Sequence, residues 1–397
     1  MKVFKRLNEG AYFPSFFTAE VDTQTPMVLL DPFNSSPLYH EYTHFLQDLF
    51  TIHGNAGLFL SSLLRTSFVN EVKPGSMPPI KIKNQQYVSL DKERNRIFFR
   101  SDTDDEEPEF DLLGIQYDDP NDLYVYQDSN GRFFPLDGKI IDESMADALE
   151  QKHPDYVNCP NKKFPYKVIE SLFKNKITNN HPILIAWICF TALNCQDPRK
   201  AIYEIYNSYQ TNLNNACSND FFAFIQSHSN KIGFDLNTIQ DFRRLIIQEL
   251  HSWNKIVPNM GKAMLGSINV FNPSTPNGYI EILDYFKEVP DEKNKSFFQR
   301  TSNIGLPLYR NKKGEYSSFG FFNTYGSVMM NFVTLRHIIQ YWLGNDTDVE
   351  CPLFETCKLK SKDFSCLCKK RPWRFSKKNQ LCSYSAMWKT LNLPNHL

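Results

Sequence analysis

The stretch of this chain best equipped for chemistry is His40-Glu41-Tyr42-Thr43-His44. On a helix, residues four apart share a face one turn apart. His40 and His44 can therefore direct two imidazole nitrogens at one metal ion. Glu41 follows the first of them, where a carboxylate can take the proton from metal-bound water, as zinc-assisted hydrolysis requires. Such a site needs a third protein ligand and leaves the fourth position to water. The run His44-Phe45-Leu46-Gln47-Asp48-Leu49-Phe50 lacks a His-x-x-Gly-x-x-His continuation, and His53 is out of step with one. A second helix should therefore supply the ligand. Glu143 is the leading candidate, with Asp147 one turn on along the same face. Asp48, one turn beyond His44, and Glu170 remain open.

These residues need helices to place them. Ser36 suits an N-cap and Pro37 the first helical position, where no amide hydrogen is required. Leu38, Phe45, Leu46 and Leu49 then recur at helical spacing, and Gly54 is the expected stop. Asp142 is the expected N-cap of the helix that carries Glu143 to Glu150.

Together, His40-Glu41-x-x-His44 and Ile141-Asp142-Glu143-Ser144-Met145-Ala146-Asp147 resemble the gluzincin superfamily of zinc peptidases, the thermolysin-like group. The second segment looks like the Glu-x-x-Ala element of many such enzymes. The resemblance covers two helices only. It implies a zincin-like fold, a Zn2+ cofactor, His40, His44 and Glu143 as ligands, Glu41 as base, and Asp147 hydrogen-bonded to His40 or His44. It further implies an oxyanion donor, Tyr or His, from the C-terminal part, for which His251, Tyr325 and His337 are eligible by position. The two helices stand farther apart in sequence than in that group, so the intervening insertion has to loop out.

Composition narrows the rest. The 44 Lys and Arg balance 44 Asp and Glu, so no global pull toward nucleic acid or an anionic membrane follows. No long apolar run follows the basic start Met1-Lys2-Val3-Phe4-Lys5-Arg6, so a secretory signal is not expected. The most apolar run, residues 182–193, is too short to span a bilayer and reads as a buried helix. Nine cysteines are too sparse for a disulfide scaffold, which points to a reducing, cytoplasmic setting.

Met27-Val28-Leu29-Leu30 reads as a strand, one edge for an extended peptide, and residues 81–100 as a hairpin. Ten acidic residues and no basic one between Asp102 and Asp122 read as a solvated loop. Residues 57–69, 198–209, 235–253 and 325–343 carry helical patterns.

The last stretch differs. Cys351, Cys357, Cys366, Cys368 and Cys382 cluster among nine basic and two acidic residues. Cys351, Cys357, Cys366 and Cys368 are candidate thiolate ligands for a second metal, zinc or an iron–sulfur cluster. The basic surface offers a place for a regulatory protein or nucleic acid, or for the acidic 102–122 block.

The expected fold is α+β: a zincin-like N-terminal part with short strands and an active-site helix over residues 1–165, a largely helical part over 166–345, and a small Cys-rich tail over 346–397. The expected function is zinc-dependent hydrolysis of peptide bonds in a protein or peptide substrate, without a membrane partner. A non-catalytic, metal-stabilised binding protein acting through the basic tail is the alternative. Glu41 separates them, because a purely structural metal site needs no general base.

Overall fold

The computed structural model describes residues 11–13, 18–20, 35–72, 76–78, 112–118, 123–157, 164–178, 182–256, 260–291, 293–305, 307–317, 323–342, 350–360, 366–370, 372, 376–377 and 380–393. These are mixed α and β and mostly helical, consistent with an α+β class.

Helix α1 runs Ser36–Phe50, with Pro37 in its first turn. Its N-cap is Ser35, in extended backbone, rather than Ser36. The one-residue shift releases the Ser36 hydroxyl, which donates to Glu150 Oε1 at 3.0 Å. The helix ends at Phe50 because Thr51 is extended, and the Thr51 side chain caps helix α2, Ile52–Glu71, by accepting from the Gly54 amide at 2.9 Å. Gly54 is therefore not the stop of α1. It lies in the first turn of α2, where a Cβ would meet the Gln47 carbonyl oxygen at 2.2 Å and Asp48 Cα at 2.4 Å. Only glycine lets α2 fold back this closely on the end of α1.

Helix α3 runs Gly138–Glu150 and starts earlier than the sequence suggests. Asp137, not Asp142, is the N-cap, its side chain accepting from the Ile140 amide at 2.8 Å. Glu143 thus stands in the second turn rather than the first. Between α3 and the next long helix lies a short one, α4, Val168–Phe173. Helix α5, Pro182–Leu193, has no polar face, and Ile183 to Leu193 are all buried. That is what an uninterrupted apolar run of this length can do in water, since any exposed face would cost transfer free energy. Helix α3 packs against both α1 and α5. At the end of α5, the Asn194 side-chain oxygen accepts from the Ile52 amide at 3.2 Å and so holds the start of α2. Among the described residues no helix is long and apolar enough to cross a membrane.

The amphipathic helices follow their patterns. Helix α6, Pro198–Ser208, is capped by Asp197 and buries Ile202 and Ile205. Helix α7 spans Ser218–Ser227, α8 Leu236–Ile256, α9 Met260–Ile268, α10 Pro276–Lys287 and α11 Lys295–Ile304. Helix α12 spans Asn323–Trp342.

The strands are short. β1 (Ala11–Phe13), β2 (Thr18–Glu20), β6 (Leu308–Arg310) and β7 (Tyr316–Ser317) form one sheet in that order. Its central β2–β6 pair is parallel and joins residues far apart in the sequence. β3 (Gly114–Asp118), β4 (Leu123–Gln127) and β5 (Phe133–Pro135) form an antiparallel meander. Part of the acidic block is therefore a paired strand and not loop throughout. The expected strand at 27–30, the hairpin at 81–100 and residues 102–111 lie outside the described residues.

One contiguous apolar cluster extends from Ala19 to Leu393. The C-terminal segment joins it through helix α15, Ser383–Thr390, which packs on α12. Trp388 lies 6.1 Å from Trp342 between ring centroids, and the Tyr384 hydroxyl lies 2.9 Å from His337 Nδ1.

Candidate metal centre

Helix α1 places His40 and His44 one turn apart with ring centroids 5.0 Å from each other and planes nearly perpendicular. Helix α3, packed alongside, brings Glu143 to both. One oxygen, Glu143 Oε2, lies 3.3 Å from His40 Nε2 and 3.4 Å from His44 Nε2. The three donors all fall within 4.8 Å of one another. Ligands about 2.1 Å from a tetrahedral zinc stand roughly 3.4 Å apart. The two Glu143 edges, 3.3 and 3.4 Å, match that value and the third is bounded at 4.8 Å, so two imidazole nitrogens and a carboxylate oxygen converge as a donor set that suits a zinc ion. Asp48 and Glu170, the other candidates for third ligand, are not among the converging donors.

The remaining imidazole nitrogens are also held. His40 Nδ1 lies 3.0 Å from Glu150 Oε2, so a proton on Nδ1 is donated to that carboxylate and Nε2 is left as the lone-pair nitrogen. His44 Nδ1 lies 2.7 Å from Gln47 Oε1, and Gln47 Nε2 in turn donates to the Asp142 carbonyl at 2.8 Å. The Asp142 carboxylate reaches His53 Nε2 at 2.7 Å. His53 is thereby a brace between α2 and α3.

The role expected of Asp147 is filled by Glu150 and Gln47. Asp147 points along α3 to a different network: Lys167 Nζ lies 2.9 Å from Asp147 Oδ2 and 2.8 Å from Glu170 Oε2, and Gln151 donates to both carboxylates. Burial alone would lower the Lys167 ammonium, but the Asp147 and Glu170 carboxylates outweigh it and hold it charged. The reason is angular. Residues 143, 147 and 150 share one broad face of α3, and the crossing of α3 over α1 decides which turn meets which ring.

Electrostatics favours a cation here. Burial pulls His44 toward the neutral form, yet Glu143, by charge and hydrogen bond, and Glu41 reverse that and raise it. Glu41 is 1% exposed and sits close enough to act on both His44 and Tyr309. Burial, with the Glu41 charge adding, raises the Tyr309 phenol well above its ordinary value. The Tyr309 hydroxyl donates to the Leu38 carbonyl at 3.4 Å, tying β6 to the first turn of α1. Tyr166 packs edge-on to His40, with ring centroids 5.7 Å apart.

Of the eligible oxyanion donors, His251 is exposed on α8 and His337 is engaged with Tyr384. The Tyr325 side chain lies outside the described residues. Sequence reasoning missed Glu150, Gln47 and Tyr309. Gln47 carried a signal, three residues after His44 on the same face, and so did Glu150, two turns beyond Glu143. Tyr309 carried none, because only the parallel pairing of β2 with β6 brings its strand to α1.

Comparison with known protein families, with curated proteins and with solved structures gives no match for this chain.

Proposed function

We propose that this chain is a zinc-dependent peptidase of zincin-like architecture that hydrolyses peptide bonds in a protein or peptide substrate. The observation that carries the reading is the single Glu143 oxygen equidistant from the two Nε2 atoms, at 3.3 and 3.4 Å, with Glu41 buried beside them. His40, His44 and Glu143 would hold the ion. A zinc ion held by them would supply Lewis acidity, which activates water and polarises a carbonyl.

The residues of the chain do the rest. Glu41 takes a proton from the attacking water and passes it to the leaving amine nitrogen, so that one carboxylate serves as base and then as acid. Glu150 and Gln47 fix which nitrogen of each imidazole faces the ion, and thereby keep the donors in register. The buried surroundings strengthen each of these interactions by excluding water. The binding-protein alternative leaves Glu41 without a role.

The test is direct. Purified protein and a Glu41→Gln variant are incubated with cell lysate, and new peptide termini are compared by mass spectrometry. The parent generates new termini, while the variant cleaves slower by orders of magnitude and retains the zinc content of the parent. Equal cleavage by both proteins sinks the mechanism.

A further inference from the structure

The thiols of Cys351, of Cys357 in helix α13 (Phe354–Lys360) and of Cys368 in helix α14 (Cys366–Lys370), expected as ligands of a second metal, are not among the donors that converge within 4.8 Å. The Cys366 side chain lies outside the described residues. His40, His44 and Glu143 are the one converging group among the described residues. Its two imidazoles are held in unequal ways.

His40 is held in one step. Glu150 Oε2 lies 3.0 Å from its Nδ1, and the other oxygen of that carboxylate accepts from the Ser36 hydroxyl at 3.0 Å. His44 is held through a relay. Its Nδ1 lies 2.7 Å from Gln47 Oε1, Gln47 Nε2 donates to the Asp142 carbonyl at 2.8 Å, and the Asp142 carboxylate reaches His53 Nε2 at 2.7 Å. The relay can run in one direction only. A backbone carbonyl accepts and never donates, so it fixes which end of the Gln47 amide faces it. The amide oxygen is then the end that faces His44, and Nδ1 must carry the proton. Nε2, 3.4 Å from Glu143 Oε2, is left with the lone pair that a metal needs. A main-chain carbonyl of α3 thus decides the tautomer of His44.

That carbonyl has to be kept in place, and His53 is built to do it. His53 stands in the first turn of α2, pressed against the end of α1. The Ile52 amide before it donates to the Asn194 side chain at 3.2 Å, and a Cβ on Gly54 after it would meet the Gln47 carbonyl oxygen at 2.2 Å. The His53 side chain is 5% exposed and that of Asp142 18%, so the attraction between them is little screened. Asp142 Oδ1 is buried and meets no donor among the described residues. Burial holds the Cys189 thiol of α5 well above its ordinary value, and the Asp142 charge adds to that, which sets this carboxylate toward the apolar interior. A charge so placed depends on its partner, and removing the partner leaves it uncompensated.

We infer that His53 is a positioning residue of the metal centre: its bond to the Asp142 carboxylate holds the turn of α3 whose carbonyl orients the Gln47 amide and, through it, His44. The inference rests on the reading of His40, His44 and Glu143 as the ligands of the metal. The effect of His53 reaches His44 and spares His40, whose carboxylate partner lies two turns further along α3. It also depends on a donor at the position of Nε2 rather than on a filled volume.

The test uses the full chain with its histidines labelled with nitrogen-15. Two-bond nitrogen–proton correlations of the chelator-treated protein in mildly alkaline buffer, where imidazole is neutral, report which ring nitrogen carries the proton. His44→Gln and His40→Gln identify the two signals. The parent should show both rings protonated at Nδ1. In His53→Leu, His44 should become a mixture of tautomers while His40 stays unchanged. His53→Gln, whose amide nitrogen reaches about as far as Nε2, should restore the parental signal. His53→Leu/Asp142→Leu replaces the buried pair by an apolar one, an exchange that is often neutral for stability. It covers the case where His53→Leu does not fold, and it should show the same His44 mixture. Zinc affinity, read by competition with a chelator, should fall about tenfold in both leucine variants, the low end for groups that orient a metal ligand, and recover in His53→Gln. A parental His44 signal in the folded leucine variants overturns the inference. So does a parent with His44 protonated at Nε2, an equal disturbance of His40 and His44, or a folded His53→Gln protein that behaves like His53→Leu. Failure of the peptidase reading shows instead as a parent without zinc-dependent cleavage, and it leaves these spectra unchanged, because they are recorded without metal or substrate.

Discussion

At the scale of single residues, the centre depends on who holds the second nitrogen of each histidine. Glu150 Oε2 at 3.0 Å from His40 Nδ1 is the strongest such contact, since a carboxylate both orients the ring and raises the basicity of Nε2. Glu150→Gln should therefore weaken zinc affinity or activity by about ten- to a hundredfold, read by competition with a chelator of known affinity. Glu143→Ala removes one of the three proposed ligands and should cost more. Asp147→Asn should leave zinc affinity within about twofold of the parent, because its carboxylate serves Lys167 and Gln151. An Asp147→Asn defect as large as that of Glu150→Gln would reverse this assignment. The residues of the motif were legible because a helix of 3.6 residues per turn fixes what lies four positions apart. The partner one turn further along a second helix was not, since Asp147 and Glu150 present the same face and sequence does not state where two helices cross.

At the scale of elements, the junction of α1 and α2 is what keeps Gln47 under His44. Thr51 breaks the helix, its hydroxyl restarts it, and Gly54 allows a backbone approach that no side chain permits. Gly54→Ala would put a Cβ 2.2 Å from the Gln47 carbonyl oxygen and 2.4 Å from Asp48 Cα, both backbone atoms with little freedom to yield. The expected cost is about 1–3 kcal/mol or more, measured by chemical denaturation, with a parallel loss of zinc affinity as Gln47 is displaced. Unchanged stability would mean that the corner is open enough to breathe. The helices themselves were readable: α5 from its unbroken apolar run, α6 from Asp197-Pro198 and its Ile202–Ile205 spacing, α12 from a long amphipathic pattern. Helix boundaries slipped where two capping residues competed, as with Ser35 and Ser36 or Asp137 and Asp142. Strands of two or three residues such as β6 and β7 give no period to read, and their pairing is set by the tertiary fold.

At the scale of the whole molecule, segments far apart in the sequence meet beside the candidate centre. β2 near the N-terminus pairs in parallel with β6, Tyr309 of β6 bonds the start of α1, and β7 is held by Thr356 at the head of the cysteine segment. The same segment rests on α12 through Trp388 against Trp342 and Tyr384 against both Trp388 and His337. A chain wired in this way should unfold as a unit, because the apolar cluster that contains Leu38 of α1 also contains Trp388 and Leu393. Trp388 is fully buried, so Trp388→Ala creates a large cavity and should cost about 3–5 kcal/mol. If the C-terminal segment is integral, that loss appears in a single transition, and far-ultraviolet circular dichroism and zinc release from the His40–His44–Glu143 centre shift to lower denaturant together. If it were a separate module, the variant would show an early transition confined to the tail while the histidine centre kept its parental midpoint. The first outcome is expected, since among the described residues Trp388 packs on Trp342 of α12 within the same apolar cluster as Leu38 of α1, and packing of that density transmits the loss of one large side chain to its neighbours.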